Sequence, residues 1–389
     1  MLRSLFSGIS GLRAHQTMLD VVGNNIANVN TTGYKTSQTQ FQDTLSQLIM
    51  SASSAQGGTG GTNPAQVGLG VKVAGVTTSF TPGSSQLTGR STDMMIQGDG
   101  FFTVRQGNQT FYTRAGSFDF DATGQMVLPG SGALVQGWMA VGGVVDTNSA
   151  ITDLRIPAGA LMAAKASTSA IYEGNLQQDA ATGTVLNRDI PVYDSTGTKT
   201  TLSLQFTKSA TGWSVSADGG ATSTAMTFNA AGALTSPTSL TAGAVTVNMS
   251  AITGFAGVNT VKALSQDGYA AGTLESFSLG GDGVITGTFS NSLKQVIGQI
   301  AIASFNNPAG LEKAGGSLFR TTANSGLAQV GSPGSGGRGT LAGGSLEMSN
   351  VDLSQEFTSL IIAQRGFQAN SRVITTSDTI LEELINLKR

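Results

Sequence analysis

The sequence predicts a multidomain chain of mixed α and β character, with paired, coiled-coil-like terminal helices enclosing discontinuous all-β domains. Three observations carry this. Leu5, Ile9, Leu12, Leu19 and Ile26 recur at helical spacing near the start, and Leu353, Phe357, Leu360, Phe367, Ile374, Leu381 and Ile385 do so near the end. Steps of three and four residues place one apolar stripe on each helix, which is buried only against another helix. Between them the apolar period changes to two, the signature of half-buried strands. The composition agrees: 53 glycines among 389 residues supply the positive-φ positions of tight turns, and charged residues are only 11% against roughly 25% in typical soluble proteins.

In chain order, residues 1–29 read as a helix closed by the turn-forming Asn30-Thr31-Thr32-Gly33. Residues 36–50 read as a second helical stretch, followed by a Ser/Gly/Thr-rich loop from Ser51 to Asn63. From Gly70 strands dominate: Val71, Val73 and Val76 alternate, then Met94-Met95-Ile96, Phe101-Phe102-Thr103-Val104 and Phe111-Tyr112-Thr113 follow, with turns between. Residues 165–262 read as a separable β segment in which Asp194-Ser195-Thr196-Gly197 and Ser209-Ala210-Thr211-Gly212 turn hairpins. Strands resume near Val284 and run to a second glycine-rich stretch at 331–339, ahead of the terminal helix. The expected organisation is a terminal helical domain from 1–30 and 350–389, a connector from 31–70 and 331–349, a discontinuous β domain from 71–164 and 263–330, and an inserted outer β domain at 165–262.

Several function classes fall away. A net charge of −2 leaves no electrostatic footprint for nucleic acid. No run approaches 18 apolar residues, so no membrane insertion by a helix is expected; the start is amphipathic and lacks the continuous apolar core of a cleavable signal peptide. Without cysteine there is no thiolate nucleophile and no zinc–thiolate site. His15 is the sole histidine, too little for a Ser/His/Asp relay without a positioned partner. Glu382-Glu383 read as a solvated helix face. The glycine clusters at 57–61 and 331–339 lack the Gly-Lys-Ser/Thr ending of a phosphate loop and read as flexible connectors. Gln97-Gly98-Asp99-Gly100 and Asp121-Ala122-Thr123-Gly124 lack the alternating acids of a calcium loop and read as turns. No catalytic residue, metal site or cofactor is expected.

Five ordered blocks resemble one family. Asn24-Asn25-Ile26-Ala27-Asn28-Val29-Asn30-Thr31-Thr32-Gly33-Tyr34-Lys35 closes the first helix; Ser91-Thr92-Asp93-Met94-Met95-Ile96-Gln97-Gly98-Asp99-Gly100 and Tyr112-Thr113-Arg114-Ala115-Gly116-Ser117-Phe118 follow. Near the far end stand Ser345-Leu346-Glu347-Met348-Ser349-Asn350-Val351-Asp352 and Gln364-Arg365-Gly366-Phe367-Gln368-Ala369-Asn370. The set resembles the rod and hook proteins that form the axial structure of the bacterial flagellum. Gln266-Asp267-Gly268-Tyr269 and Ala303-Ser304-Phe305-Asn306-Asn307-Pro308, with the chain length, favour the hook branch. The resemblance implies a subunit that stacks helically into a curved, hollow tube, a flexible universal joint transmitting torque, with the terminal helices lining an export channel. It implies contact with copies of itself, with distal rod, hook cap and hook–filament junction proteins, and with the export apparatus. The expected location is the flagellum outside the cell, reached without a cleaved signal peptide. A distal-rod-like subunit and a secreted β-rich adhesin are the alternatives.

Overall fold

The computed structural model describes residues 2–54, 57–58, 60–156, 159–217 and 222–387. Readings that touch Met1, 55–56, Thr59, 157–158, 218–221 or 388–389 fall outside them. The described chain forms two long helices, α1 (Leu2–Ala27) and α2 (Leu353–Asn386), and a large β-rich remainder. It divides into two compact units, one of residues 1–157, 278–286 and 296–389, the other of 158–277 and 287–295.

In the first unit the strand Phe101–Gln106 is central. It pairs antiparallel with Gln109–Thr113 on one side and with Ala133–Met139 and Ile302–Ser304 on the other. Phe101 packs edge-on against Phe80, Phe305 and Phe319 at ring distances of 5.3–5.9 Å, and Tyr112 meets Phe305 at 4.8 Å. This aromatic knot, enclosed at Phe101 and Phe319, joins strands from distant parts of the chain into one core. The strand patterning read from Phe101 onward corresponds to these strands, while Met94–Gln97 pairs with Thr340–Gly343 in a separate two-stranded sheet.

Residues 36–50 are not helical. Ser37–Asp43 pairs antiparallel with Val71–Thr78, and Ser46–Met50 with Ala65–Gly68. In Ser37-Gln38-Thr39-Gln40-Phe41 the more covered face carries Ser37 and Thr39 and the exposed one Gln38 and Gln40, and the hydrogen-bonding partner more than thirty residues on outweighs the weak local preference. The 331–339 stretch is also different from expectation. Gly339 donates to Asp99 O, Gly334 to Gly339 O and Arg338 to Ser335 O, while the Arg338 guanidinium lies where a Gly331 side chain would be. It is a pinned turn, not a slack connector.

The second unit wraps two four-stranded sheets around one core. One holds Ser239–Ala242, Val245–Thr253, Ser169–Asn175 and Lys262–Gln266; the other holds Val185–Tyr193, Lys199–Ser209, Gly212–Ala217 and Ser223–Ala225. Tyr172, Leu204, Phe206, Trp213, Val247 and Met249 fill the space between. Asp194 turns the first hairpin by accepting from Thr196 N and Thr198 N, each 2.8 Å, and Asp121 in the first unit does the same for Thr123 N and Gln125 N. Both carboxylates are engaged by backbone amides, as in turns, and for Asp121 this is the turn reading rather than the calcium one.

Asp267 ties the edge of this unit together. The Ser169 N–H at 2.9 Å, with the Thr168 hydroxyl and N–H, holds its carboxyl far below the usual carboxylate range. A depressed native pKa contributes stability that is complete above the unfolded value of about 3.9 and lost as pH falls through the native one. Asp267→Asn is therefore expected to lower the urea midpoint at pH 7, with the gap to wild type narrowing below about pH 4. An equal gap at pH 7 and pH 2.5 would contradict the assignment.

Candidate functional site

The ends of the chain form the site, and its local geometry follows from the flanking residues. Asp352 caps α2, its side chain accepting from Ser354 N and Gln355 N, so the helix starts where the motif Asn350-Val351-Asp352 ends. Asn350 bridges before it, accepting from Thr36 N at 2.8 Å and donating to Ser79 O and Thr81 O. At the other end of the site, Asn28 caps the last turn of α1 by donating to Asn24 O, and Asn24 donates to the Tyr34 hydroxyl. Asn25 is buried: its amide donates to Ser37 O and Glu356 Oε1, and its carbonyl accepts from Ser37 N and Tyr34 OH. That one side chain joins the end of α1, the first strand and the first turn of α2. Burial lifts the Glu356 carboxyl above its ordinary pKa, partly offset by the Asn25 bond, and burial with Glu356 nearby raises Tyr34.

The two helices run antiparallel. Gly8 lies beside Ile374, Gly11 beside Asn370, and His15 beside Gly366. A Cβ on Gly11 would sit 2.7 Å from Asn370 Oδ1, and one on Gly366 would sit 2.5 Å from the His15 ring. The contact is reciprocal: each helix offers a glycine to the other's polar knob, four residues from its own knob. Asn370 is held over Gly11 by donating to Gly366 O, and His15 is backed by Phe41 at a ring distance of 5.7 Å. Ala14, Val22, Ala363 and Ser377 complete the buried residues of the two helices besides Asn25, Gly8 and Gly11.

This seam is rotated from the predicted stripes. Leu5, Ile9, Leu12, Leu19 and Ile26 are half-buried on α1, as are Leu360, Ile374 and Leu381 on α2. Leu353, Phe357, Phe367 and Ile385 are exposed, Phe357 to 51%. Gln16, Gly23, Gln364 and Asp378, which interrupt the stripes, are exposed too, and Ser371 is half-buried. The apolar period thus marks a flank of the pair, while small residues make its centre. Arg365 and Gln368 are exposed, and Thr32 is half-buried in the turn after α1.

Sequence reasoning missed the charged cluster beneath the helices. Glu347 Oε1 accepts from Lys35 Nζ at 2.6 Å and from Gly83 N at 3.0 Å, and Arg114 reaches Oε2 at 3.5 Å. All three side chains are 0–2% exposed. Burial pushes the Lys35 and Arg114 pKa values down against the pull of Glu347. Arg114 also lies over the Phe101 ring at 5.2 Å. Gly33 brings the strands close enough: its φ is +67°, its N–H donates to Glu347 O at 2.8 Å, and a side chain there would collide with the backbone of Ala115. The available signal was the placement of Lys35, Arg114 and Glu347 inside three motif blocks of a charge-poor chain.

Among the described residues no helix is long and apolar enough to cross a membrane, and no group of acidic or histidine side chains is arranged to hold a metal. The arrangement offers β-rich units and an antiparallel pair of terminal helices with apolar side chains left uncovered along α2. Family models for the flagellar basal-body rod protein match residues 5–35, for the FlgE/F/G D1 domain of the flagellar hook protein residues 95–223, and for the FlgEFG C-terminal region residues 342–387. Flagellar hook protein FlgE of Borreliella burgdorferi and that of Treponema pallidum are each 40% identical, over the whole of both chains. Flagellar basal-body rod protein FlgG of Bacillus subtilis is 35% identical, also over the whole of both. The fold is similar to Helicobacter pylori flagellar hook protein FlgE2, at 16% identity and TM-score 0.50, covering 69% of this chain and all of that one. The chain belongs to the FlgE/F/G family of flagellar hook and basal-body rod proteins.

Proposed function

We propose that the chain is the structural subunit of a flagellar hook, which self-assembles helically into a curved, hollow tube and transmits motor torque as a flexible joint. The observation that carries this is the terminal pair: its centre is sealed by Gly11–Asn370 and His15–Gly366, yet apolar side chains remain exposed along α2. A helix hydrophobic beyond its intramolecular seam is built for further partners, and full-length identity of 40% to two hook proteins gives the kind of assembly. The role is mechanical, without enzymatic activity or cofactor. The partners are further copies of this chain, the axial proteins at either end of the tube and the flagellar export apparatus, and the tube lies outside the cell.

Electron microscopy of the purified, assembled protein tests this, with curved tubes as the expected result. The identity to the Bacillus subtilis rod protein supports a second reading, a distal rod subunit; straight, stiff rods would favour it. Deleting residues 370–389 removes Asn370, Ile374, Ser377 and Leu381 from the seam and is expected to leave soluble monomer. Tubes of normal diameter from that truncation would overturn the role given to the helices.

A further inference from the structure

A cavity beside the end of α1 holds one uncompensated cation and no acid. It measures about 350 Å³ and lies between Asn24 and Asn28, the Tyr34 turn, and the hairpin of Glu312–Gly315 with Leu318–Arg320. Two ammonium groups line it. That of Lys35 is spent on Glu347. That of Lys313 donates to Lys35 O at 3.2 Å and to Ser37 Oγ at 2.8 Å and lies over the Tyr34 ring at 4.8 Å, so every partner is neutral. The adjacent Glu312 is engaged elsewhere, its two oxygens accepting from Arg320 at 2.8 and 2.9 Å. Lys313 is exposed, yet the protein around its ammonium lowers the pKa by desolvation, and no carboxylate offsets this.

The hairpin turn adds hydrogen-bond donors to that charge. Gly315, Gly316 and Ser317 stand at φ of +87°, +58° and +60°. Ser317 is one of two residues other than glycine in the left-handed region among the described ones, a strained backbone held by the Thr113 hydroxyl donating to Ser317 O at 2.9 Å. The N–H of Gly316 and the N–H and hydroxyl of Ser317 donate to nothing among the described residues. We infer that this cavity is a carboxylate site, in which Lys313 supplies the counter-charge and the Gly316–Ser317 turn the hydrogen bonds. One ammonium matches a monoanion. A phosphate would bring up to two charges to a cavity that offers no guanidinium fork. The Tyr34 ring and Leu318, also in the lining, receive the apolar stem that carries the carboxylate. The same chemistry is presented by a free short-chain carboxylic acid and by an Asp or Glu side chain of a second copy. Either one bridges the end of α1 to the hairpin.

The test labels lysines of the full-length, unassembled chain with a brief pulse of an amine-reactive succinimidyl ester, read peptide by peptide by mass spectrometry. Saturating sodium butyrate is expected to slow labelling of Lys313 at least ~5-fold relative to sodium chloride of equal ionic strength, because occupied sites withdraw the amine. The exposed Lys72 and Lys294 serve as controls and stay unchanged. Butyramide, the neutral isostere, leaves Lys313 labelling as it is in chloride. Unchanged labelling in butyrate, equal protection by butyramide, or stronger protection by inorganic phosphate overturns the site. Once protection is found, assembly separates the two sources. If a second copy supplies the carboxylate, butyrate but not butyramide raises the protein concentration needed for tubes; if the ligand is a free acid, that concentration does not move. The labelling needs no tubes, so its outcome is independent of the hook reading.

Discussion

Gly366→Leu is expected to abolish tube formation while the β-rich remainder stays folded. The substitution has two opposed effects on α2. In the helix interior, leucine is favoured over glycine by nearly 1 kcal/mol of intrinsic propensity. Against that, the first atom of any side chain at 366 would sit 2.5 Å from His15 Cε1 and 2.6 Å from Nε2. The imidazole has little room to yield, because Phe41 stands against its ring and its Nδ1 is enclosed with no hydrogen-bond partner among the described residues. Over-packing of a tight contact costs about 1–3 kcal/mol for a few added methylenes, and here it also displaces the Asn370 knob that donates to Gly366 O. Packing therefore wins, and α1 and α2 separate or shift register. The compensating pair makes the argument specific: Gly366→Ala is expected to impair assembly, and His15→Ala/Gly366→Ala to recover it, a coupling that separate, unrelated losses would not show. Electron microscopy with circular dichroism reads both, and normal tubes from Gly366→Leu would refute the lock.

The same contact explains how much of the site could be read beforehand. Both helices were legible, since Leu5, Leu12 and Leu19, or Leu360, Phe367 and Ile374, keep helical spacing over several turns. Their meeting line was not, because a search for apolar periodicity passes over Gly8, Gly11, Ala363, Gly366 and Ser377, the residues that let two backbones approach. Periodicity marks a stripe beside that line, half-buried on α1 and at Leu360, Ile374 and Leu381, and uncovered at Leu353, Phe357, Phe367 and Ile385. Residues 36–50 look helical in sequence because their strand character depends on pairing with Val71–Thr78 and Ala65–Gly68, which no local pattern reports. The 331–339 turn looked slack by composition, but Arg338 fills the space its glycines leave. Asn25 and Asn350 were singled out by resemblance alone; their buried and bridging hydrogen bonds supply the physical reason.

Glu347→Ala is expected to be the most destabilising single change in the connector, lowering stability by about 3–5 kcal/mol. Lys35 and Glu347 are 312 positions apart in the chain and meet at 2.6 Å with no solvent exposure. Removing the carboxylate strands two buried cations: Lys35 would keep only Thr81 O at 2.8 Å, and Arg114, whose Nε already lacks an acceptor among the described residues, would keep the Phe101 face. Gly83 N loses its acceptor as well. The cost is that of an uncompensated buried charge rather than the net worth of the pair, so replacing the charged partners together should behave differently. Glu347→Leu/Lys35→Met, which leaves only the guanidinium, is expected to recover at least half of the lost stability. Guanidinium-chloride midpoints of the full-length chain decide between the outcomes. A loss below about 1 kcal/mol for Glu347→Ala, or a double variant no better than the single one, would mean that the cluster is not what holds the two ends of the chain to the β-rich unit they share.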